Sequence, residues 1–390
     1  VARRLLSEGM HLPALPQVAP PQASPSSDAG EKIFFTSREF FASLEREIDR
    51  ARQSISVEMY IWSNDETGNH FFDLLERAAA RGVRVRLVLD GVGSWFWIRA
   101  NQARIKATAI EVKIYHPLRW NFRRAIPEGI PRFFARMNRR NHKKVILIDG
   151  KTAFTGSLNI TRSSLEWKEC GLRLTGEAVP LLAALFENVW LLSGEEPRQE
   201  SFSTSRLQRQ LKNSRVIRSN QFYSLRTQHQ RDLKRRILGA RHRVWLMTPY
   251  FVPTFGVLSS LLKAARNGVD VRLILPRKSD VTFLRWIARL YYRYLLRAGV
   301  KVFEYLPEVL HAKMSLVDDW GFIGSSNLNR RSSYLDLELD IVLSSGASLR
   351  ELERELTIDM SRSEEIVKYV PLGYWRNLLA KTLYVWRSWF

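Results

Sequence analysis

The 390-residue chain contains a single cysteine, Cys170. That excludes an internal disulfide framework and any zinc site built from several thiolates. Acidic residues are scarce: 39 Asp and Glu face 61 Lys and Arg, a formal charge of +22. Such a balance points to an anionic partner, whether nucleic acid, an acidic membrane surface or a phosphorylated substrate. No apolar run reaches the roughly 18 to 20 residues of a membrane span. The nearest candidate, Ala178–Leu192, is interrupted by Glu187 and Asn188 and reads as a core helix. The N-terminus has no apolar core segment, so no secretory signal is expected. What is present is ordinary globular material: 45% hydrophobic and 26% charged residues. The length suits two or three domains or one large duplicated unit.

Residues 1–32 form a leader rich in Pro, Ala and Ser, expected to be flexible, and order is expected to begin near Ile33. Thr36 and Glu39 have the spacing of a capping box that opens a helix with Phe40, Phe41, Leu44 and Ile48 on one face. Strands are expected at Ser54–Trp62 and Val83–Leu89, with a helix ending at Gly82 between them. The pattern then recurs, with helices at Asp232–Ala240 and Val257–Asn267 and strands at Arg243–Phe251 and Val269–Leu275. The stretch Glu76–Leu89 closely matches Lys263–Leu275. Alternating helices and strands imply an α/β fold, and the long-period repeat implies two homologous lobes joined around Glu195–Val216.

Each lobe carries the same constellation. The first reads His142-x-Lys144, then Asp149, Gly156, Ser157 and Asn159, with Glu169 following. The second reads His311-x-Lys313, then Asp318, Gly324, Ser325 and Asn327, with Glu338 following. His and Lys two apart on a strand share a face, so each copy delivers an imidazole and an ammonium to one spot. Two lysines and two asparagines suit the non-bridging oxygens of a phosphodiester. One imidazole can attack phosphorus while the other moves protons. A carboxylate on the far ring nitrogen would fix tautomer and orientation. A metal site is disfavoured, because the lysine beside each histidine repels a cation. No metal or cofactor is expected.

The duplicated motif resembles that of the phospholipase D superfamily. Within it, Leu87–Ser94, Tyr115–Leu118, Asn141–Asn159, Thr248–Pro253, Arg289–Tyr305 and Leu310–Asn327 resemble bacterial cardiolipin synthases, most closely the B type without transmembrane helices. The resemblance spans about residues 33–390. It implies two phospholipase D-like lobes at 33–205 and 206–390, each a mixed sheet flanked by helices, related by a pseudo-twofold axis. It implies His142 as nucleophile and His311 as general acid/base in a catalytic set with Lys144, Asp149, Lys313 and Asp318. In that set Asp149 and Asp318 are expected to support turns. Asn159 and Asn327, assisted by Ser157 and Ser325, would bind phosphate, and Glu169 and Glu338 would orient the histidines. One departure is Asp336-x-Glu338, where Asn-x-Glu is more usual. The implied reaction moves a phosphatidyl group from phosphatidylglycerol to a second lipid hydroxyl, at the surface of an anionic bacterial cell membrane, by a peripheral enzyme. The acceptor lipid and the oligomeric state stay open. A phospholipid hydrolase, a nuclease of the same superfamily and a non-catalytic lipid-binding protein are the alternatives, with nucleic acid the less favoured partner.

Four further segments bear on substrate delivery. Arg119–Lys144 holds nine basic residues and one acid, and Arg206–Arg243 twelve basic residues and one acid. Arg285, Arg289, Arg293 and Arg297 recur every fourth residue, as either a headgroup-binding ridge or a solvated helix face. At the C-terminus Trp375, Leu379, Thr382, Trp386 and Trp389 form one stripe, flanked by Leu378, Leu383 and Phe390, in a stretch without acids. That pattern suits an interfacial helix, with docking on the core as the alternative.

Overall fold

The computed structural model describes residues 30–117, 138–193 and 202–385. The leader, the basic stretch from Arg119 to Met137, and Trp386, Trp389 and Phe390 lie outside the described residues.

The first sheet is built from β1 (Glu31–Phe34), β2 (Ser54–Met59), β3 (Arg84–Asp90), β4 (Glu111–Tyr115), β5 (Val145–Ile148), β6 (Thr152–Gly156) and β7 (Gly171–Thr175). Its order is β1-β7-β6-β5-β2-β3-β4. The second sheet contains β8 (Ile217–Ser219), β9 (Arg243–Met247), β10 (Asp270–Lys278), β11 (Lys301–Val309), β12 (Met314–Val317), β13 (Trp320–Gly324), β14 (Leu339–Val342) and β15 (Ser363–Glu365). Its order is β15-β11-β10-β9-β12-β13-β14-β8, which repeats the first from edge to edge with β15 added. In each sheet three parallel strands meet four antiparallel ones, β2 beside β5 and β9 beside β12. This is the expected α/β architecture of two lobes with mixed sheets flanked by helices.

Local chemistry explains the elements. Thr36 caps the first helix, Ser37–Arg50, by accepting the Glu39 N–H at 3.4 Å. The repeated helix-to-strand turns close on Gly82 and Gly268, whose φ values of 88° and 87° lie in the left-handed region. There glycine ends a helix without the Cβ penalty. The helix Ala178–Leu192 turns Val179, Leu182, Leu185, Phe186 and Val189 into the core, as its pattern predicts. Among the described residues no helix is long and apolar enough to cross a membrane.

Strand alternation divides the interior into three layers. Val145 and Leu147 of β5 face a central core that also contains Met314 and Leu316 of β12 and Ile323 of β13. Ile146 and Ile148 face an outer core of the first lobe, and Val317 and Phe322 face an outer core of the second. Both faces of these strands are therefore buried, which is why they read as continuous apolar runs. The central layer belongs to both lobes, so neither sheet is covered without the other.

The motif glycines are required by crowding. A Cβ on Gly156 would lie 2.4 Å from the Cys170 carbonyl oxygen, and one on Gly324 would lie 2.5 Å from Asp340 Cα. Gly324→Ala is therefore expected to destabilise the protein by about 1–3 kcal/mol through overpacking. A lowered urea midpoint checks this, and an unchanged midpoint would show that the β13–β14 contact relaxes freely.

Candidate active site

The two motif histidines stand immediately before β5 and β12, where main-chain hydrogen bonds cross between the lobes. The His142 N–H donates to Leu337 O at 2.9 Å, and the Leu337 N–H donates to Arg140 O at 2.8 Å. Reciprocally, the His311 and Ala312 N–H groups donate to Lys168 O at 2.9 and 2.8 Å, and the Lys168 N–H donates to Val309 O. The segment before each histidine is thus stitched to the segment before the other lobe's glutamate.

The side chains follow the same exchange. His142 Nδ1 lies 3.0 Å from Glu338 Oε2, and His311 Nδ1 lies 2.7 Å from Glu169 Oε1. Each imidazole is paired with the carboxylate of the opposite lobe. That leaves Nε2 of both rings for chemistry. Lys144 Nζ donates to the His142 carbonyl at 2.7 Å, and Lys313 Nζ to the His311 carbonyl at 2.6 Å. Asn159 Oδ1 accepts the Ile61 N–H, and Asn327 Oδ1 is buried with no hydrogen-bond partner among the described residues. Both histidines, both lysines, both asparagines and both glutamates are buried together.

Two serines differ from expectation. Ser157 Oγ donates to Glu169 Oε2 and accepts the Cys170 N–H, and Ser325 Oγ donates to Glu338 Oε2 and accepts the Leu339 N–H. Their hydroxyls are committed to the carboxylates, so they hold the glutamates instead of presenting a free donor to phosphate. Ser332 adds a third bond to Glu338, at 2.6 Å.

Asp149 and Asp318 sit at the far ends of β5 and β12 from the histidines. Asp149 accepts the N–H groups of Arg52, Gln53 and Ser54, and Asp318 those of Arg241, His242 and Arg243. Both adopt positive φ, 52° and 47°. Partial burial pushes each carboxyl up, but the three amides outweigh it and hold both below the usual carboxylate range. They tie the strand-end turn to the start of the neighbouring strand and touch none of the reacting groups.

Burial dominates the electrostatics of the site. It drives His142 well below its usual range, with Lys144, Lys313 and His311 adding repulsion. Burial also lowers His311, but Glu169 opposes that shift. Burial and Lys313 push Lys144 down to about 7. Burial raises Glu338 to about 7 against the pull of Lys144. A dianionic or monoanionic phosphate entering this centre would restore the lysine charge. Among the described residues no group of three or more His, Cys, Asp or Glu is placed to hold a metal ion.

Some neighbours were not singled out by the motif. Tyr60 packs on His142 with ring centroids 4.8 Å apart, and Tyr250 approaches His311 at 6.5 Å. They occupy equivalent strand ends in the two lobes, so comparing the repeats beyond the motif would have found them. Trp167 lies against His311 at 5.5 Å, and its counterpart is Asp336. Asp336 accepts from Arg331 Nε at 2.7 Å and from the Arg140 N–H at 3.1 Å, which gives the unusual aspartate its partners. Beneath His142, Lys143 is fully buried against Glu58 at 2.8 Å and Gln221 at 2.6 Å. Ala312 fills the position of Lys143 before β12, and Met247 that of Glu58.

The family model for the cardiolipin synthase, PLD-like domain matches this chain twice, at residues 44–190 and 233–360. The chain belongs to the cardiolipin synthase family. It is 30% identical over 354 residues to a cardiolipin synthase of Halalkalibacterium halodurans, covering 87% of this chain and 68% of that protein. It is 28% identical over 368 residues to a probable cardiolipin synthase, YwiE, of Bacillus subtilis, covering 90% and 69%. Its fold is similar to that of phosphatidylserine synthase from Haemophilus influenzae, with a TM-score of 0.67, 13% identity, and coverage of 92% and 95%. The family falls within the phospholipase D superfamily that the repeated motif resembled.

Asp149→Ala separates a supporting role from a catalytic one. It should cost about 1–2 kcal/mol of stability by leaving amides without their acceptor, while turnover per folded molecule stays within about twofold. Denaturant midpoints and active-site-normalised rates check this, and loss of turnover in a fully folded variant would contradict it.

Proposed function

We propose that this enzyme transfers a phosphatidyl group from phosphatidylglycerol to a hydroxyl of a second phospholipid, through a phosphohistidine on His142. The observation that carries the reading is the pair of imidazoles, each oriented by the opposite lobe's glutamate beside two buried lysines. His142 Nε2 attacks phosphorus as the bond to the glycerol oxygen breaks. His311 gives that oxygen its proton, and glycerol leaves. The acceptor hydroxyl then loses its proton to His311, its oxygen attacks phosphorus, and the phosphorus–nitrogen bond breaks. Lys144, Lys313, Asn159 and Asn327 balance the charge on the non-bridging oxygens. Water in place of the acceptor gives phosphatidic acid, the hydrolase branch of the same mechanism.

The two histidines are not electrostatically alike, and this supports the division of roles. A nucleophile must be neutral, and His142 is the ring held furthest from protonation. A general acid must keep its proton, and Glu169 favours the protonated form of His311. Lowering pH protonates Glu338, which burial has raised to about 7, before it protonates His142, which burial holds well below its usual range. The acid limb of phosphohistidine formation is therefore expected near pH 7, as the carboxylate that orients His142 loses its charge, and Glu338→Gln should abolish that limb. A pH–rate profile under single-turnover conditions checks it, and a limb that persists unchanged in Glu338→Gln would contradict the assignment.

The membrane surface enters through the C-terminal helix, Tyr374–Val385. One face docks: Ala380 is fully buried and Leu383 packs on the second-lobe core beside the helix Thr282–Arg297. The other face presents Trp375, 77% exposed, with Leu378 and Leu379, next to Val367 and Val370. Docking and an outward apolar stripe thus coexist, and Lys368, Arg376 and Lys381 border it. The arginine ridge on Thr282–Arg297 is divided. Arg285 donates to Arg277 O and Arg289 approaches buried Glu304 at 3.9 Å, so only Arg293 and Arg297 are exposed. We assign the exposed stripe to an anionic lipid surface. The double variant Trp375→Glu, Leu379→Glu alters only exposed positions. Its binding to phosphatidylglycerol vesicles should fall about tenfold or more with the thermal midpoint kept, as vesicle sedimentation would show. Unchanged sedimentation would remove the stripe from the interface.

The reaction itself is tested by incubating the protein with phosphatidylglycerol vesicles, or with DNA, in EDTA. Mass spectrometry should find cardiolipin and glycerol, and neither in His311→Ala. Cleavage of DNA without lipid products would establish the nuclease alternative.

A further inference from the structure

The lobe repeat also breaks down at a corner beside the site. In the first lobe, the short helix Arg162–Glu166 starts three residues after Asn159 and abuts the capped start of the helix Glu66–Ala80. Acids neutralise this corner. Asp65 accepts the Thr161 hydroxyl and the Arg162 N–H, and the Arg162 guanidinium pairs with Glu66 at 3.8 Å and Glu166 at 3.6 Å. In the second lobe, the helix Arg330–Tyr334 starts three residues after Asn327 and abuts the helix Phe255–Arg266. The arginine is retained as Arg330. Thr254, Phe255 and Tyr334 stand where the first lobe has Asp65, Glu66 and Glu166.

The second-lobe corner, without those acids, lines a pocket. It has a volume of about 500 Å³ and no acid in its lining. Arg231, Lys234 and Arg330 supply the charge, and Phe255, Tyr334 and Val252 supply apolar walls. None of the three cations makes an ion pair among the described residues. Arg330 lies only 5.9 Å from the Tyr334 ring, and Phe255 is 86% exposed. The size is that of a small-ligand site. Three unneutralised cations over apolar walls complement an anion carried on a partly apolar molecule.

Its position selects a role. One wall continues from Tyr250, which faces His311, through Val252, which bridges to Asn329 just past Asn327. The pocket therefore flanks the histidine that deprotonates the incoming hydroxyl. We propose that it is the subsite for the phosphate and glycerol backbone of the acceptor phospholipid. This deepens the transferase reading and rests on it. At the first-lobe corner Arg162 is neutralised by Glu66 and Glu166, so the near-symmetric centre acquires distinct donor and acceptor sides.

The test uses Arg330→Glu, Lys234→Glu in the full chain, both surface positions outside the catalytic set. Wild type and variant are given phosphatidylglycerol in mixed micelles with ethanol as a competing acceptor. Cardiolipin formation should fall about tenfold or more, the effect of removing charged contacts to a phosphate. Transfer to ethanol, which needs no headgroup site, should stay within about twofold. Equal loss of both products, or loss of neither, would overturn the assignment. A second measurement does not depend on the reaction. Because Cys170 is buried, Phe255→Cys carries one accessible thiol for an environment-sensitive fluorophore. Soluble dihexanoyl phosphatidylglycerol should give a saturable response that the charge reversal abolishes. An equal response to inorganic phosphate or to dihexanoyl phosphatidylcholine, or no saturable response, would overturn the proposal. Saturable lipid binding in a protein that makes no cardiolipin would instead count against the transferase reading alone.

Discussion

Everything in this fold depends on the exchange of carboxylates between the lobes. His142 reaches Glu338 and His311 reaches Glu169, and main-chain bonds from His142 to Leu337 and from His311 to Lys168 hold the exchange in register. A single lobe contains a histidine and a glutamate that never meet. The shared central core between β5, β6, β12 and β13 enforces the same dependence, because each sheet buries one face only against the other. Stability and site assembly are one event: whatever parts the lobes exposes apolar strands and unpairs both imidazoles.

Symmetry sets up the site, and departures from symmetry make its two histidines unequal. Two identical halves would give two equal histidines. Here Glu338 carries two serine hydroxyls and is raised by burial, while Glu169 opposes the lowering of His311. Trp167 stands opposite Asp336, and the buried Lys143–Glu58 pair stands opposite Ala312 and Met247. Burying a lysine is costly and is offset only by well-placed partners. Its place next to His142 in the chain confines that cost to one of the two lobes.

The repeat, the six motif residues and the capped first helix were all legible in the sequence, because each depends on local spacing. Which glutamate serves which histidine was not legible, because nothing local encodes a contact 196 or 142 residues away. The serines were assigned to phosphate for the same reason: the motif shows that they are near the site, not which way the hydroxyl turns. For the arginine ridge, fourfold spacing gave the common face but not that Arg285 and Arg289 would turn inward to Arg277 O and Glu304. The C-terminal stripe was readable as amphipathic. That its opposite face would dock on the helix Thr282–Arg297 required the tertiary structure.

The central claim is that the nucleophile is governed from the other lobe. Rapid quenching with phosphate-labelled phosphatidylglycerol, followed by peptide mapping, measures it directly. The account predicts a labelled adduct on His142 whose rate of formation falls about a hundredfold in Glu338→Gln, the usual scale for losing a residue that orients a histidine. Formation on His142 at the wild-type rate in a folded Glu338→Gln protein would contradict it.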